Sequence, residues 1–448
     1  MNRYFGTDGI RGKAGEFPLD TETIRIIGHS LAGQFSSGGS MPKFIIGRDT
    51  RESGPAIEKA FCEGAVAGGA SIDSAGVLTT PGIAFLTRKF EFDAGIVISA
   101  SHNPFQDNGI KIFLPSGKKL GEEMEMAIER DIREAIPSAS GDLSHSNERI
   151  HEFRTAYLDH LTENFSGMDL TGLHLAVDSA NGAASDLAPE LFRGFGAKVT
   201  VFNNEPDGKN INLNCGSLFL DVLQKKVIGL GADIGVAFDG DADRALFVDE
   251  KGNLVDGDAT LWILARRLAK QDKLKSGKVI ATVMSNIGLE LALKGRGIEL
   301  VREKVGDKYV LDGLLKTGAE LGGEQSGHII LPKISLVGDG MMTALLVLSA
   351  MRDRHESLSE LTSGFVQYPQ ILLNVHVREK VPFGSVEKIN EAVAEVEKDL
   401  EGNGRLLLRY SGTENLARVM IEGKDQESIN SQAKRIAEVI ESELGNNE

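Results

Sequence analysis

Three times along this chain, a short apolar run ends in a loop of glycine and polar residues. Runs of this length are typical of buried strands, and helix-like segments separate them. The alternation of strand and helix predicts α/β domains with mostly parallel sheets, in which polar loops at the strand ends can meet in one cleft. The three loops are Ser99–Pro104, Asp239–Arg244 and Gly322–His328.

The repetition predicts three similar domains, and a unit of different design follows them. With 448 residues, the chain is too long for one hydrophobic core. We therefore predict an α/β fold of four domains: three α/β mixed-sheet domains, 1–147, 148–252 and 253–365, and a smaller C-terminal α+β domain, 366–448. A stretch rich in serine, glycine and aspartate, 137–147, is the predicted linker after the first domain.

Composition excludes several classes of protein. The chain is 41% hydrophobic and 25% charged, which is typical of a globular protein. It has no apolar run of about 18 residues, and its N-terminus lacks the apolar core of a signal peptide. Cys62 and Cys215 lie far apart and offer neither a disulfide framework nor a zinc pair, so we expect a cytoplasmic protein. The net charge of -16 argues against nucleic acid as a partner.

The first loop places a hydroxyl at the tip of a predicted strand. The apolar run Ala94–Ile98 leads into it, and Ser101 follows beside an imidazole. Pro104 closes the segment; it lacks an N–H and biases Asn103 away from helical geometry. A strand tip of this kind is where parallel α/β sheets carry their chemistry. A loop that only turns the chain is the alternative.

The second loop is acidic. Asp239, Asp241 and Asp243 alternate along an extended segment, so their side chains share one side of it. Carboxylates about 4 Å apart repel by roughly 4 kcal/mol per pair at an effective dielectric near 20, and a bound cation removes that cost. Ligands that are all oxygen favour Mg²⁺ over zinc, and Arg244 interrupts the pattern of a calcium loop. We predict a Mg²⁺ site here; a solvated acidic turn is the alternative.

The third loop and two basic residues are further candidates. Glu324, Ser326 and His328 alternate and would present a carboxylate, a hydroxyl and an imidazole to a polyhydroxy ligand. Lys111 faces away from its apolar neighbours on a predicted strand. Arg11 lies in a glycine-rich stretch whose backbone can approach a ligand closely. The alternatives are a hydrogen-bonded loop histidine, a solvated lysine and an N-terminal turn.

A loop in the last domain has the makings of a phosphate site. Arg409, Ser411 and Thr413, with Gly412 between them, offer a guanidinium, two hydroxyls and an exposed backbone. A hairpin turn is the alternative. Neither the G-x-S-x-G hydrolase motif nor a P-loop or dinucleotide fingerprint accompanies the first serine. Serine beside a cation-binding carboxylate cluster instead indicates phosphoryl transfer, since a phosphoserine carries a charge of about -1.5 to -2.

With these motifs in order, the chain resembles the α-D-phosphohexomutases essentially from end to end. The motifs that carry the resemblance are Phe5–Gly12, Ser99–Pro104, Asp239–Arg244, Gly323–His328 and Arg409–Glu414. The resemblance implies a heart-shaped arrangement of the four domains and a phosphorylated Ser101. It also implies that sugar 6-phosphates and 1-phosphates interconvert through the phosphoserine enzyme and a 1,6-bisphosphate.

The resemblance assigns further roles. Lys111 is the expected general acid/base with His328 in support, and Arg11 and Arg244 are further site residues. The expected ligands of Mg²⁺ are the Ser101 phosphate, Asp239, Asp241 and Asp243. The residues expected to bind substrate are Glu324 and Ser326 for sugar hydroxyls, and Arg409, Ser411, Gly412 and Thr413 for the phosphate that is not reacting. Tyr410 stands where the family more often has lysine or proline.

Substrate, cofactors and partners follow from the same resemblance. Gly323–Ser326 and Val305–Lys308 resemble the glucosamine branch of the family, so glucosamine phosphate is the expected substrate and glucose or mannose phosphate the alternative. The expected product feeds UDP-N-acetylglucosamine synthesis. The expected cofactors are one Mg²⁺ per chain and a sugar 1,6-bisphosphate as activator and intermediate. A homodimer is allowed, whereas nucleic acid and membrane are not expected partners. A metal-dependent phosphatase and a non-catalytic sugar-phosphate sensor are the rival functions.

Overall fold

The computed structural model describes residues 3–36, 41–135, 145–411 and 414–445. The chain divides into two compact units, Met1–Thr282 with Val301–Ser363 and Val283–Leu300 with Gly364–Glu448. The four domain boundaries drawn from the sequence stay predictions. Most of the predicted linker, 137–147, lies outside the described residues.

Helices and strands alternate through most of the described residues. The α-helices there are α1 (Thr21–Phe35), α2 (Gly54–Ala67), α3 (Thr80–Lys89), α4 (Glu122–Arg133), α5 (Ile150–Asn164), α6 (Leu187–Gly194), α7 (Leu220–Leu230), α8 (Gly257–Lys270), α9 (Ile287–Lys294), α10 (Asp307–Thr317), α11 (Gly340–Arg354), α12 (Leu358–Leu361), α13 (Glu387–Leu400) and α14 (Gln426–Leu444). The β-strands there are β1 (Phe5–Gly6), β2 (Gly9–Lys13), β3 (Lys43–Arg48), β4 (Ser71–Val77), β5 (Ala94–Ile98), β6 (Asp107–Phe113), β7 (His145–Ser146), β8 (His174–Asp178), β9 (Lys198–Phe202), β10 (Ile234–Phe238), β11 (Ala245–Asp249), β12 (Leu254–Val255), β13 (Lys278–Thr282), β14 (Glu299–Glu303), β15 (Gly322–Gly323), β16 (Ile329–Ile330), β17 (Gln370–His376), β18 (Gly404–Tyr410) and β19 (Leu416–Gly423).

The first sheet is mixed rather than mostly parallel. Its strand order is β1-β2-β6-β5-β3-β4-β7. Strand β3 pairs in parallel with β4 and β5, whereas β6 runs antiparallel to both β5 and β2. The expectation of a mostly parallel sheet is wrong here for a simple reason. After the serine loop the chain returns directly beside β5 as β6, and a direct return without a crossover helix makes an antiparallel pair.

The second and third sheets repeat this arrangement. Their strand orders are β12-β11-β10-β8-β9 and β14-β13-β15-β16. In each, one strand has a parallel neighbour on one side and an antiparallel neighbour on the other: β10 lies between β8 and β11, and β15 between β13 and β16. The antiparallel neighbour follows directly after the polar loop. The prediction of three similar α/β mixed-sheet layouts, each delivering one polar loop, is confirmed.

Two helices pack closely beside the first sheet. Helix α1 begins after Asp20, its N-cap, whose carboxylate accepts the Thr23 N–H at 3.0 Å. Helix α2 crosses α1 where two glycines meet the partner backbone. A Cβ on Gly64 would lie 2.0 Å from the Arg25 carbonyl oxygen, and one on Gly28 would lie 2.3 Å from that of Phe61. Any side chain at either glycine would push the helices apart.

The second unit contains a small antiparallel sheet of order β17-β19-β18, with α13 and α14 packed against it. This matches the predicted C-terminal α+β unit. Glu422 on β19 is fully buried, and its carboxylate accepts the Nε–H of Arg405 at 3.0 Å. It also accepts the N–H of Ile287, the first residue of α9, at 3.0 Å. A buried carboxylate requires such partners, and the hydrogen bond from Ile287 ties the start of α9 to the sheet.

Among the described residues, no helix combines the length and the apolar character that crossing a membrane would require.

We predict that Gly64→Ala lowers stability by roughly 1–3 kcal/mol, because overpacking at a tight helix crossing displaces backbone. The matched control is Gly33→Ala on helix α1, where an added Cβ meets nothing within 4 Å. There alanine should be neutral or stabilise by up to about 1 kcal/mol, because it favours the helix more than glycine does. Differential scanning calorimetry of both variants checks the pair; equal midpoints would contradict the assignment of the crossing.

Candidate active site

Ser101 lies just beyond strand β5, in a strained backbone conformation. Its φ is +52°, in the left-handed region that costs a residue with a side chain about 1–3 kcal/mol. Its hydroxyl donates to Asp239 Oδ2 at 2.5 Å, and His102 Nδ1 lies 3.2 Å from Ser101 Oγ. The serine is almost completely buried. The first polar loop therefore meets the second at the hydroxyl of Ser101.

The acidic loop follows β10 and brings its three carboxylates together. One oxygen from each of Asp239, Asp241 and Asp243 lies within 4.8 Å of the other two, and all three residues are buried. Asp241 Oδ1 and Asp243 Oδ1 are buried without a hydrogen-bond partner. Buried polar atoms are normally paired, so these two oxygens are placed to bind a ligand. A cluster of oxygen donors alone fits a hard divalent cation such as Mg²⁺.

Asp239 and Asp241 differ in the direction of their pKa shifts. Burial, followed by the charges of Asp243 and Asp241, raises the pKa of Asp239 well above its usual range. Burial alone would also raise the pKa of Asp241, but the charge and hydrogen bond of Lys111, together with the hydrogen bond of Thr80, outweigh burial and lower that pKa below its usual range. One ammonium thus offsets part of the negative charge. The remaining repulsion is what a cation at this site would relieve.

Lys111 lies on β6, the strand that returns beside β5, and its side chain is 1% exposed. Its ammonium lies 2.7 Å from Asp241 Oδ2, 3.0 Å from Asp8 Oδ2 and 3.4 Å from Asp243 Oδ2. Burial would lower the pKa of Lys111, but these three carboxylates outweigh burial and raise it above its ordinary value. The structure thus places Lys111 beside the acidic loop, and the alternative of a solvated surface lysine is wrong.

Asp8 and Lys119, which sequence analysis did not select as site residues, are further charged residues near Lys111. Asp8 also binds Arg11 and Lys119, and Lys119 in turn binds Asp307 at the start of α10. Asp8 belongs to the N-terminal motif from which only Arg11 was selected as a candidate. Lys119 lies in a turn rich in glycine and lysine that predicts only a solvated loop. Only the fold, by bringing β2, β6 and α10 together, shows that these charges form one cluster.

The third loop contributes His328, Glu324 and Ser326. His328 Nε2 accepts the N–H of Gly338 at 3.3 Å and lies 3.9 Å from Asp243 Oδ2. Its Nδ1 is buried and has no hydrogen-bond partner. Glu324 Oε1 accepts the Gly306 N–H at 3.1 Å, while the Ser326 hydroxyl has no hydrogen-bond partner. His328 therefore belongs to the cluster around the acidic loop, and Ser326 keeps an oxygen available to a ligand.

The two predicted arginines of the first unit also lie at this site. Arg11 binds Asp8, and its Nε is buried without a hydrogen-bond partner. Arg244 directly follows the acidic loop, with its Nε 3.7 Å from Asp243 Oδ1. Burial would lower the pKa of Arg244, but the charges of Asp243 and then Asp239 raise it. His102 behaves differently, since burial and the nearby charge of Arg244 lower its pKa to about 4 and keep it neutral near pH 7.

The predicted phosphate site of the second unit is described in part. Gly412 and Thr413 lie outside the described residues. Arg409 is the penultimate residue of β18, and Ser411 follows the strand. Tyr410 donates its hydroxyl to the Val381 carbonyl at 2.6 Å and stacks on Phe383, with ring centroids 4.1 Å apart. The residue that departs from the family pattern thus anchors the base of this loop.

A second arginine, Arg418, lies beside Arg409 in the second unit. The two residues are direct partners on β18 and β19. Burial and then the charge of Arg418 lower the pKa of Arg409. Arg418 Nη2 lies 3.4 Å from Ser411 Oγ, and its Nε is buried without a hydrogen-bond partner. Two adjacent guanidinium groups at a hydroxyl suit an anion. The sequence offered no sign of Arg418 because strand pairing alone makes it a neighbour.

Comparison with known families gives four consecutive matches. The matching family is phosphoglucomutase/phosphomannomutase. Its alpha/beta/alpha domain I matches residues 2–138, its domain II matches residues 155–252 and its domain III matches residues 256–368. The C-terminal domain of the same family matches residues 372–439. Together these matches span most of the chain.

Among curated relatives, the phosphoglucosamine mutase of Solibacter usitatus is 48% identical over 444 residues, which cover 98% of this chain and 99% of the relative. Among solved structures, a phosphoglucomutase/phosphomannomutase family protein from Burkholderia thailandensis is similar, with a TM-score of 0.79 at 24% identity, covering 99% of this chain and 98% of that chain. The N-acetylphosphoglucosamine mutase of Aspergillus fumigatus, solved with GlcNAc-6P and magnesium, has a TM-score of 0.64 at 18% identity, covering 98% and 95%. The two solved structures share the fold.

We predict that Asp241→Asn weakens Mg²⁺ binding at least about 10- to 100-fold, the range seen when even outer-shell partners of a metal are lost. Added Mg²⁺ should raise the melting temperature of the unaltered protein, because a ligand of the folded state stabilises it. It should raise that of the variant far less. Asp272→Asn, at a side chain 84% exposed, is the matched control. An equal Mg²⁺ response in all three proteins would contradict a site at Asp241.

The same cation binding should strengthen as pH rises. Because the pKa of Asp239 is raised, a proton competes with the cation for this carboxylate and must leave on binding. Titration calorimetry in two buffers of different ionisation enthalpy measures the released proton. Identical apparent enthalpies in the two buffers would contradict proton release.

Proposed function

Because this chain belongs to the phosphoglucomutase/phosphomannomutase family, we propose that it is a phosphoglucosamine mutase that interconverts glucosamine 6-phosphate and glucosamine 1-phosphate. One observation carries the reaction class: the buried hydroxyl of Ser101 points at Asp239 within the carboxylate cluster. A curated relative of that name, 48% identical over nearly the whole chain, supports the choice of sugar. The product would feed UDP-N-acetylglucosamine synthesis.

Ser101 is the proposed phosphoryl carrier. Its Oγ holds a phosphoryl group that O1 of glucosamine 6-phosphate attacks, so that a P–O1 bond forms as the P–Oγ bond breaks. The resulting 1,6-bisphosphate turns within the site. The 6-phosphoryl group then passes to Oγ as the P–O6 bond breaks, and glucosamine 1-phosphate leaves. The enzyme ends as it began, with phosphorylated Ser101, so a small amount of sugar 1,6-bisphosphate suffices as activator.

Asp239, Asp241 and Asp243, together with the Ser101 phosphate, would hold the cation, for which Mg²⁺ suits the all-oxygen ligands. When bound, Mg²⁺ supplies charge neutralisation for the transferring phosphoryl group. The A. fumigatus relative solved with magnesium supports the choice of metal. The two unpaired oxygens, Asp241 Oδ1 and Asp243 Oδ1, are the available ligand atoms.

Lys111 is the proposed general acid/base, a role that contributes about 10²–10⁴-fold to rate. It takes the proton from O1 in the first transfer and returns it to O6 in the second. Asp241, Asp8 and Asp243 hold Lys111 in its charged form. A cation held by Asp241 and Asp243 would offset part of that negative charge, and it would thereby lower the pKa of Lys111 towards a value at which the side chain exchanges protons.

The remaining predicted residues are proposed to bind and orient substrate. Glu324 and Ser326 would contact sugar hydroxyls, and His328, whose Nε2 lies 3.9 Å from Asp243 Oδ2, would support Lys111. Arg11 and Arg244 would stabilise phosphoryl charge, since a guanidinium fork matches phosphate oxygens. Binding of the substrate phosphate that is not reacting stays a prediction for four residues of the second unit: Arg409, Ser411, Gly412 and Thr413. Location in the cytoplasm and assembly as a homodimer also stay predictions.

We predict that Ser101→Ala reduces mutase turnover by at least about 10³-fold, the scale on which removal of a nucleophile acts in other enzymes. The change deletes only a hydroxyl, so the variant should fold. Intact mass with peptide mapping should find a phosphate on the Ser101 peptide of the unaltered protein and none in the variant. Ser166→Ala, at an exposed serine, is the control and should leave both readouts unchanged. Turnover like that of the unaltered protein in Ser101→Ala would exclude the phosphoserine mechanism.

We predict that kcat/KM for glucosamine 6-phosphate exceeds that for glucose or mannose 6-phosphate by at least about tenfold, because the curated relative that is 48% identical to this chain is a phosphoglucosamine mutase, and the ratio of kcat/KM values measures such a preference. Coupled assays of the three sugars with Mg²⁺ and a bisphosphate activator measure the ratio. Preference for glucose or mannose phosphate would make the enzyme a phosphoglucomutase or phosphomannomutase. Free phosphate as the main product would instead identify a phosphatase.

A further inference from the structure

Arg51 is a buried arginine whose side-chain N–H groups all donate hydrogen bonds. It follows β3 by three residues, and its side chain is 0% exposed. Nη2 donates to the carbonyl oxygens of Ser101 at 3.0 Å and Asn103 at 2.8 Å. Nη1 donates to those of Asp107 at 2.9 Å and Pro104. With Nε bound to a carboxylate, the five donors of the guanidinium meet five acceptors, four of which are main-chain oxygens in or just after the serine loop.

Asp49 balances the charge of Arg51 and connects it to the nucleophile. Its Oδ2 accepts the Nε–H of Arg51 at 2.9 Å and the hydroxyl of Ser99 at 2.6 Å. The Ser99 oxygen in turn accepts the N–H of Ser101 at 2.9 Å. A charge buried this deeply requires a partner, so Asp49 and Arg51 form one unit. Both main-chain groups of Ser101 are therefore held by this unit, the carbonyl directly and the N–H through Ser99.

The conformation of Ser101 needs such support. Its φ of +52° is one that residues with side chains rarely adopt. In that conformation the hydroxyl points at Asp239. Asn212, from the loop after β9, also donates to the Ser101 carbonyl at 2.9 Å and to that of Asn103 at 3.1 Å. Relaxation of this backbone would turn Oγ away from the carboxylates while leaving the sugar-binding residues untouched.

We infer that Arg51, paired with Asp49, is a positioning residue that holds the serine loop in the conformation in which Ser101 Oγ can exchange a phosphoryl group. This inference rests on the proposed function. Neither residue touches the reacting atoms, so their contribution acts on the rate of transfer and not on the affinity for sugar phosphate. The sequence shows only a polar turn after a strand here, and nothing in it connects residue 51 with residue 101.

The test is Arg51→Lys, assayed with glucosamine 6-phosphate and Mg²⁺. Lysine keeps the charge beside Asp49, but its compact ammonium has three donors and cannot reach four carbonyls. We expect kcat to fall about 10²-fold, the cost of a misplacement near 1 Å, with KM unchanged within about threefold. The matched control is Arg25→Lys, where the guanidinium binds Glu63 on α2, and it should keep both constants. An unchanged kcat, or a raised KM at unchanged kcat, would overturn the inference.

Ser99→Ala keeps the experiment decisive if Arg51→Lys folds poorly. It removes the hydroxyl between Ser101 N–H and Asp49 but leaves the buried ion pair in place. Ser99→Ala alone should lower kcat at unchanged KM in fully folded protein. Where Arg51→Lys does fold, the double variant should be hardly slower than Arg51→Lys alone, since both changes release the same loop. Fully additive losses, or a kcat loss in Ser99→Ala that merely tracks the unfolded fraction, would overturn the inference.

Hydrogen exchange separates this inference from the proposed function. Peptides that cover 99–107 should exchange faster in Arg51→Lys than in Arg25→Lys, whatever the substrate proves to be. If the unaltered protein turns over no sugar phosphate, the proposed function fails while the exchange result still tests the loop. If exchange over 99–107 is the same in both variants, the positioning role of Arg51 fails even when the protein is an active mutase.

Discussion

The mutual repulsion of three buried carboxylates is the constraint on which this site depends. Asp239, Asp241 and Asp243 hold oxygens within 4.8 Å of one another, which costs about 3–4 kcal/mol per pair at an effective dielectric near 20. Lys111 compensates part of this charge, and a divalent cation would compensate the rest. Ser101, Lys111 and His328 are all in contact with this cluster or close to it, so the side chains proposed to carry out the reaction gather around the same negative charge.

The sheets explain how separate parts of the chain reach this cluster. In each of the three α/β layouts, a strand with a parallel neighbour runs into a polar loop and returns as an antiparallel strand. Strand β6 pairs directly with β5, and its Lys111 reaches Asp241 of the acidic loop. Mixed sheets are therefore part of how the site is built.

Sequence pattern predicted the parts with strong local signals. The structure contains the strand before Ser101 and groups the three acids of the second loop, as expected. The mostly parallel first sheet was the wrong expectation, since strand alternation does not reveal whether a chain crosses over or turns back. Asp8, Lys119 and Arg51 went unpredicted because each is an ordinary charged residue whose partners lie far away in sequence.

By itself, the sequence determined which residue types are available. It also determined that a hydroxyl, carboxylates and an imidazole follow buried strands, because short-range periodicity and the order of motifs can be read without the fold. Tertiary structure alone decided which of these groups meet and in which charge state. Ser101 contacts Asp239 across 138 positions, and Arg51 binds the carbonyl of Ser101 across 50. Such contacts depend on strand pairing and burial, which shift pKa values and fix backbone conformation only after the chain has folded.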